Sequence, residues 1–544
     1  MENQSIKFDY HVLSYALKQC TITGVENCSE TELTLPTRLR DYDVVGIGSM
    51  AFTRCTTIRK VILPSSIQFL ENSAFDSCKS LEIVEMSEGV KKLGKEAFAN
   101  CDQLRSVSLP NGLEEIGDAC FIACRSLTAI EIPDTVTSIG YRAFWGCKAL
   151  KTVKVPKGLS EVGTEVFMCS GLEEIAIPGN VKKIGYGAFD WCESLKLVNF
   201  SEGLELIDTF AFIRCKSLQT IDLPGSVKRI DNFAFQECTS LTSVVLHEGL
   251  QTIDQEVFYK CTSLMSVNLP NTLKSIGSGT FAYCKSVIEI TIPSLVEKID
   301  TETFLGCSGL KKITIGDRIK EIKSSAFQDC ENLEEINIPE SLREIGVEAF
   351  RGCKRLKSMS LPVRLEVIAK EAFSGCSNLV TVTVYDAAKI DKHAFWGCTN
   401  LYPTVLKSPI GIVKNAYRDL STSEVLEFVQ NVEVKTFNNE WLDSNIRRLL
   451  LVILKLVNSE DAVAVVSQIP AGIFPEAITM LQSDTSKGTT DLVRSLENIY
   501  QGVMRCLQAG DVVDPLYHDI DRYELYGVVE KLLGIEEPRR NIYG

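Results

Sequence analysis

The amino-acid sequence predicts an α/β repeat solenoid of about sixteen coils, followed by an all-α domain. Two residue series and one change of pattern lead to this prediction. Cysteine recurs every 22 or 23 residues, phenylalanine stands three residues before nearly every one, and helical periodicity replaces the repeat after Pro409. A fixed period of this length is typical of coils that bury their apolar faces only against neighbouring coils. The sixteen cysteines are Cys55, Cys78, Cys101, Cys124, Cys147, Cys169, Cys192, Cys215, Cys238, Cys261, Cys284, Cys307, Cys330, Cys353, Cys376 and Cys398.

Residues 1–32 precede the first full coil and are predicted to form a β-hairpin cap. The expected strands of this hairpin lie in the segments KQCTITGV and ELTLPTRL. A cap is required because the open end of a solenoid exposes apolar core and an unpaired strand edge.

Residues 33–406 are predicted to form the coils, and Leu104 to Cys124 shows their common pattern. The stretch L-x-x-V-x-L alternates as a strand with one buried side does. Pro110 then turns the chain because proline cannot continue a strand ladder. Gly117 permits a second turn before a short segment, usually A-F-x-x-C, that is predicted to be helical.

The repeated cysteines are predicted to be structural, as small buried apolar side chains with a weak S–H donor. Disulfides along the column are disfavoured because each sulfur bonds only one partner and pairing would disturb the regular spacing. The chain has no C-x-x-C pair and only four scattered histidines, so zinc is not predicted either. A column of free thiols is most easily kept in a reducing compartment.

The N-terminal residues lack the basic and apolar regions of a signal peptide, and no apolar run is long enough to span a bilayer. Together with the thiols, this predicts a cytoplasmic protein that is not inserted in a membrane. Non-classical export to the cell surface is the alternative.

The coils resemble the BspA-like, or Treponema-type, leucine-rich repeats. The resemblance is carried by LTAIEIPDTVTSIGYRAFWGC, from Leu127 to Cys147, and by LEEINIPESLREIGVEAFRGC, from Leu333 to Cys353. It implies a curved, right-handed solenoid that recognises proteins or surfaces, often as a bacterial or protist adhesin.

Residues 407–544 are predicted to form a helical C-terminal domain. Several stretches have a helical period, and Ser421 to Glu424 fits a capping box. The segment RRLLLVILKLV is interpreted as a buried central helix rather than a membrane-contact helix.

No catalytic or cofactor-binding motif is predicted. The formal net charge of −14 opposes a broad nucleic-acid interface, which needs clustered cations. The segment from Gly89 to Glu96 resembles a phosphate loop, but Glu96 stands where serine or threonine would hold magnesium. The acidic segment DVVDPLYHDIDRYE leaves a metal site, and with it an enzyme within residues 407–544, as an alternative.

Two surfaces are candidates for binding a partner. The outward residues of the strands are mostly short and polar, which suits hydrogen bonding to an extended partner. Large aromatic residues also flank the A-F-x-x-C segments of the middle coils, where early coils carry small or polar residues. The first surface is represented by Asn199, Asp222, Asn268 and Asn337, and the second by Tyr141, Trp145, Tyr186, Trp191, Phe210, Phe233, Tyr259 and Tyr283.

Both surfaces have structural explanations that stay open. Short polar residues tolerate any solvated strand, and the aromatic residues could pack on adjacent coils. The sequence therefore predicts a non-enzymatic protein-interaction scaffold without a cofactor. A cell-surface adhesin or carbohydrate-binding protein is the alternative function.

Overall fold

A computed structural model describes residues 7–26, 30–383, 388–391 and 393–401 of the protein. The chain divides into two compact units, Met1–Ile319 and Lys320–Gly544. The predicted helical domain, residues 407–544, lies outside the described residues, as does its acidic segment, and both stay predictions.

The first unit is built from coils of about 23 residues, as predicted, and most coils contain two short strands. The first strands of its coils after the N-terminal region are Lys60–Leu63, Ile83–Met86, Ser106–Ser108, Ala129–Ile130, Thr152–Val153, Glu174–Ile177, Leu197–Phe200, Thr220–Asp222, Ser243–Val245, Ser266–Asn268, Glu289–Thr291 and Lys312–Thr314. The second strands are Phe69–Leu70, Lys92–Leu93, Glu115–Ile116, Ser138–Ile139, Glu161–Val162, Lys183–Ile184, Leu206–Ile207, Arg229–Ile230, Thr252–Ile253, Ser275–Ile276 and Lys298–Ile299.

The second unit repeats the same coil within its described residues. Its first strands are Glu335–Ile336, Ser358–Ser360 and Thr381–Thr383. Its second strands are Glu321–Ile322, Glu344–Ile345, Val367–Ile368 and Lys389–Ile390. Across both units the count of about sixteen coils is confirmed.

Neighbouring strands are parallel, and each residue lies opposite its equivalent in the next coil. Val107, for example, pairs with Val84. The inward residues Leu104, Val107 and Ile116 are buried, whereas Ser106 and Ser108 are exposed. The predicted alternation of the strands is therefore confirmed.

The core contains a column of stacked phenylalanine rings. In the first unit, successive ring centroids lie between 4.8 Å, for Phe52 and Phe75, and 5.7 Å, for Phe235 and Phe258. These rings are fully buried, so each coil depends on its neighbours to remove its largest apolar side chain from water.

The N-terminal hairpin is present, but its strands differ from the prediction. Strand β1, Lys7–Ser14, pairs antiparallel with β2, Gln19–Glu26, and β2 then pairs in parallel with β5, Tyr42–Ile47. The segment ELTLPTRL instead contains β3, Glu32–Thr34, and β4, Arg38–Leu39. Strand β3 pairs in parallel with Lys60–Leu63, and its Leu33 is buried opposite Val61. Strand β3 therefore takes the place of a first strand in the repeat.

The A-F-x-x-C segments are turns, so the prediction of a short helix was wrong; the described residues contain no helix. In a typical segment, Ser73 and Ser77 adopt the left-handed conformation, with φ of 56° and 60°. The N–H groups of Ser73, Phe75 and Ser77 donate to carbonyls of the next coil at 2.7 Å. In a helix these N–H groups would donate to carbonyls of the same segment. In the turn they donate to the next coil and so join neighbouring coils.

The cysteine column is also confirmed, and its thiols have defined acceptors. The Cys101 thiol donates to the Phe75 carbonyl of the preceding coil, with 3.2 Å between Sγ and O, and Cys124 repeats this bond to Phe98 at 3.1 Å. Burial raises the pKa of the Cys147 thiol to about 12, which disfavours the thiolate.

One member of the predicted column was assigned wrongly. Ser170 occupies the buried column position, and its hydroxyl lies 3.3 Å from the Cys192 sulfur. Cys169 falls one residue earlier, at a half-buried left-handed position with φ of 59°. The repeat is therefore one residue shorter than usual between Ser170 and Cys192, and it has its usual length before Ser170.

Candidate partner-binding surfaces

The strand face consists of the outward side chains of the first coil strands, together with the residue just before each strand. Asn199, Asp222 and Asn268 are exposed on this face in the first unit, and Asn337 is exposed in the second. Their positions follow from the alternation of each strand, which directs the intervening residues into the core.

Asn268 and Asp222 are engaged within the protein. The Asn268 amide donates to the Leu246 carbonyl at 2.7 Å and accepts from the Leu246 N–H at 2.8 Å. Asp222 contacts the Nε2 atom of His247 at 2.8 Å. Asn268 therefore extends the backbone ladder between coils, which is a structural role.

The charge of the strand face changes along the first unit. Glu173 lies 2.9 Å from both Lys151 and Lys196, and the hydrogen bonds from these lysines lower its pKa to about 2. Further along, Met265 and Ile288 present apolar surface, with 60% and 52% of their area exposed. The prediction from sequence covered only the two columns of outward residues within the strands. It did not include Met265 and Ile288, because each lies one residue before its strand.

The turn face carries the aromatic patch, which consists of Tyr141, Trp145, Tyr186, Trp191, Phe210, Phe233, Tyr259 and Tyr283. Tyr141, Tyr186 and Trp191 are 40–42% exposed. Trp145, Tyr259 and Tyr283 are half-buried. Packing between coils thus covers part of the patch, as the structural alternative expected, and leaves the rest open to solvent.

Four members of the patch stand in left-handed backbone positions. Trp191, Phe210, Phe233 and Tyr283 have φ values of 58–61°. Bulky L-residues adopt this conformation at a cost of about 1 kcal/mol each, which glycine avoids. Glycine holds the equivalent positions in nearby coils, at Gly146, Gly187, Gly279 and Gly306.

The rings form two groups across coils. Tyr186 meets Phe210 edge-on at 5.4 Å, and Phe210 stacks on Phe233 at 5.0 Å. Tyr259 meets Tyr283 edge-on at 5.6 Å. The absence of a side chain at Gly306 leaves room for the Tyr283 ring, because a Cβ atom at residue 306 would lie 2.6 Å from that ring.

Cations of the protein lie over other rings of the patch. The Arg142 guanidinium is 4.6 Å from the Tyr141 centroid, and the Arg214 guanidinium is 4.9 Å from that of Trp191. Both distances fall in the range of cation–π attraction. These rings therefore accept planar cations in the geometry that the fold provides.

Along the chain, Asp190 lies between Phe189 of the buried phenylalanine column and Trp191 of the aromatic patch. One of its carboxylate oxygens is buried without a hydrogen-bond partner. Burial raises the pKa of Asp190 to about 7, although Arg214 acts in the opposite direction. This carboxyl group therefore titrates near neutral pH beside the aromatic patch.

The described part of the chain contains no cluster of three or more histidine, cysteine or acidic side chains arranged to hold a metal. No helix among the described residues is long and apolar enough to cross a membrane.

Comparison with known proteins identifies the repeat. A family model for the BspA-type leucine-rich repeat region matches six copies, over residues 24–151, 114–238, 160–288 and 274–402. The chain belongs to the BspA-type leucine-rich repeat family. The resemblance of Leu127–Cys147 and Leu333–Cys353 to this family is therefore confirmed. No curated protein sequence matches the chain significantly.

Solved leucine-rich repeat proteins are similar to this chain. One from Bacteroides ovatus is 27% identical, with a TM-score of 0.51, and the match covers 73% of this chain and 92% of that protein. A T. pallidum leucine-rich repeat protein is 25% identical, with a TM-score of 0.32, over 39% of this chain and 87% of that one. A leucine-rich cell surface protein from Faecalibacterium prausnitzii is 24% identical, with a TM-score of 0.34, over 77% and 99%.

Proposed function

We propose that this protein is a non-enzymatic scaffold that binds another protein through the aromatic patch of its turn face. The observation that carries the proposal is the placement of Trp191, Phe210, Phe233 and Tyr283 in left-handed positions. The equivalent positions hold serine, glutamate, arginine or glycine in other coils, so the fold does not require a ring there.

Packing of the core does not account for them either. The neighbouring Phe212 and Phe235 are fully buried and complete the core of the same turns. Of the four rings, Trp191 is exposed and the others are half-buried. Aromatic residues with accessible surface contribute strongly to association because they bury a large area with few rotatable bonds. Membership of a repeat family supports a binding role for the whole surface.

We also propose that the protein works in a reducing compartment. Each column thiol that donates to a phenylalanine carbonyl must carry its proton, as Cys101 does toward Phe75. Mass spectrometry of protein from its native compartment tests this proposal, which fails if most column cysteines are disulfide-bonded.

Affinity capture with the intact protein tests the binding proposal. The turn-face variant combines Trp191→Gly, Phe210→Gly and Phe233→Gly, which remove rings where glycine suits the backbone. The matched strand-face variant combines Met265→Ser and Ile288→Ser. We expect the turn-face variant to lose at least about tenfold of the captured partner, as for removal of several interface anchors.

The strand-face variant is expected to retain the partner. Loss through that variant alone would move the binding site to the strand face. Capture of glycans in place of a protein would favour the adhesin or carbohydrate-binding alternative.

A further inference from the structure

Three rings of the aromatic patch, here called the ring stack, contact one another in order: Tyr186 meets Phe210 edge-on, and Phe210 lies face to face with Phe233. The stack crosses three coils of the first unit, and Tyr186 is 42% exposed at one end. The two phenylalanines are half-buried. The ring stack is therefore only partly open to solvent.

Some rings of the aromatic patch have a cation of the protein close to them, whereas the rings of this stack do not. Tyr141, Trp191 and Tyr259 each have an arginine or lysine 4.6–5.3 Å from the ring centroid. Among the described residues, no arginine or lysine lies over Tyr186, Phe210 or Phe233. A partner's cation can therefore approach these rings in the way that Arg142 approaches Tyr141.

The charge around the ring stack favours such a partner. The four turn segments 185–194, 208–217, 231–240 and 254–263 contain seven carboxylates and three cations, a formal net charge of −4. The earlier segments 94–103, 117–126 and 140–149 contain three carboxylates and four cations, a formal net charge of +1. Five of the seven carboxylates pair with cations of the protein, and two of these cations, Lys183 and Arg229, lie just outside the segments. Glu256, which follows Phe233 in the same left-handed column, has no arginine or lysine partner among the described residues.

We infer that the ring stack and Glu256 bind an extended, arginine- or lysine-bearing segment of a partner protein, which rests on the proposed function. Guanidinium groups stack on aromatic faces and pair with carboxylates, so one arginine satisfies both features of this surface. The net charge of −14 also attracts a basic segment at long range.

Fluorescence anisotropy with the intact protein tests this inference. The probe is a labelled twelve-residue peptide of four Arg-Gly-Ser repeats, and the control peptide replaces arginine with glutamate. We expect saturable binding of the arginine peptide only, with an affinity that falls as salt is raised. Phe210→Gly with Phe233→Gly should weaken binding at least about tenfold, as for loss of interface anchors.

Ser73→Gly is the matched control variant, because Ser73 holds the same left-handed position without a ring. It should leave the affinity unchanged. Glu256→Gln should weaken binding without removing a ring, and a melting curve for each variant checks that the protein is folded.

Absence of saturable binding, equal binding of both peptides, or unchanged affinity in the double glycine variant would overturn the inference. If the peptide does not bind but the turn-face variant still loses its captured partner, only the basic character of the partner is wrong. If capture is also unaffected, the proposed function fails at this surface.

Discussion

The inward and outward sides of one turn segment differ in what constrains them. Phe235 and Cys238 point inward, are fully buried and repeat in nearly every coil. Phe233 and Glu237 stand in the left-handed positions of the same turn, and their equivalents range from glycine to tryptophan. Packing therefore restricts the type of the inward residues, whereas the type of the outward residues varies from coil to coil.

The largest effect should come from the inward side. Phe235→Ala removes a ring stacked between Phe212 and Phe258 and leaves a cavity among buried side chains. We expect the free energy of unfolding to fall by about 3–5 kcal/mol. Urea denaturation measures this, and a loss below about 1 kcal/mol would contradict a fold held by the phenylalanine column.

A smaller effect is expected in the cysteine column. The Cys238 thiol donates to the Phe212 carbonyl at 3.2 Å. Cys238→Ser keeps a donor but shortens the reach and places a more polar group in the core, so stability should fall by about 1–2 kcal/mol.

Ser170 gives a natural precedent for serine in this column. The control is Cys55→Ser, because Cys55 is only half-buried and its loss should change the urea midpoint little. Equal effects at the two positions would argue against a structural role for the buried thiols.

Asp190 should make stability depend on pH. Its folded pKa of about 7 lies above its ordinary value of 3.8, so the folded state binds its proton more tightly than the unfolded state. This contribution is present below pH 3.8 and is lost as the pH rises toward 7. Asp190→Asn should flatten the stability profile between these values, as measured by thermal unfolding, and an unchanged slope would contradict the assignment.

The smallest effect on stability is expected on the outward side. Phe233→Gly relieves a strained backbone position but loses ring contact with Phe210. These effects oppose each other, so the free energy of unfolding should change by less than about 1 kcal/mol. A loss as large as that of Phe235→Ala would mean that the aromatic patch is a second core.

The regular positions made much of this fold predictable from sequence. Phenylalanine and cysteine at one interval require equivalent environments in every coil, so the coils and their buried column followed directly. The turn segments were mistaken for helices because residues such as Glu96 and Ala119, both good helix formers, occupy left-handed positions there. Hydrogen bonds between coils override that local preference.

The candidate surfaces were less predictable because sequence does not report contacts between coils. The aromatic residues were identified as a group, but which of them form the ring stack and which carry a cation depends on the stacking. Asn268 appeared to be a free polar residue, yet its amide completes the backbone ladder at Leu246.

Hydroxyl-radical footprinting compares the two surfaces most directly, because it modifies aromatic and sulfur-containing side chains according to their exposure. Trp191 and Tyr186 report on the turn face, and Met265, 60% exposed, reports on the strand face. With the intact protein and saturating arginine peptide, we expect slower modification of Trp191 and Tyr186 and an unchanged rate for Met265. Protection of Met265 with no change at Trp191 and Tyr186 would contradict the assignment of binding to the turn face.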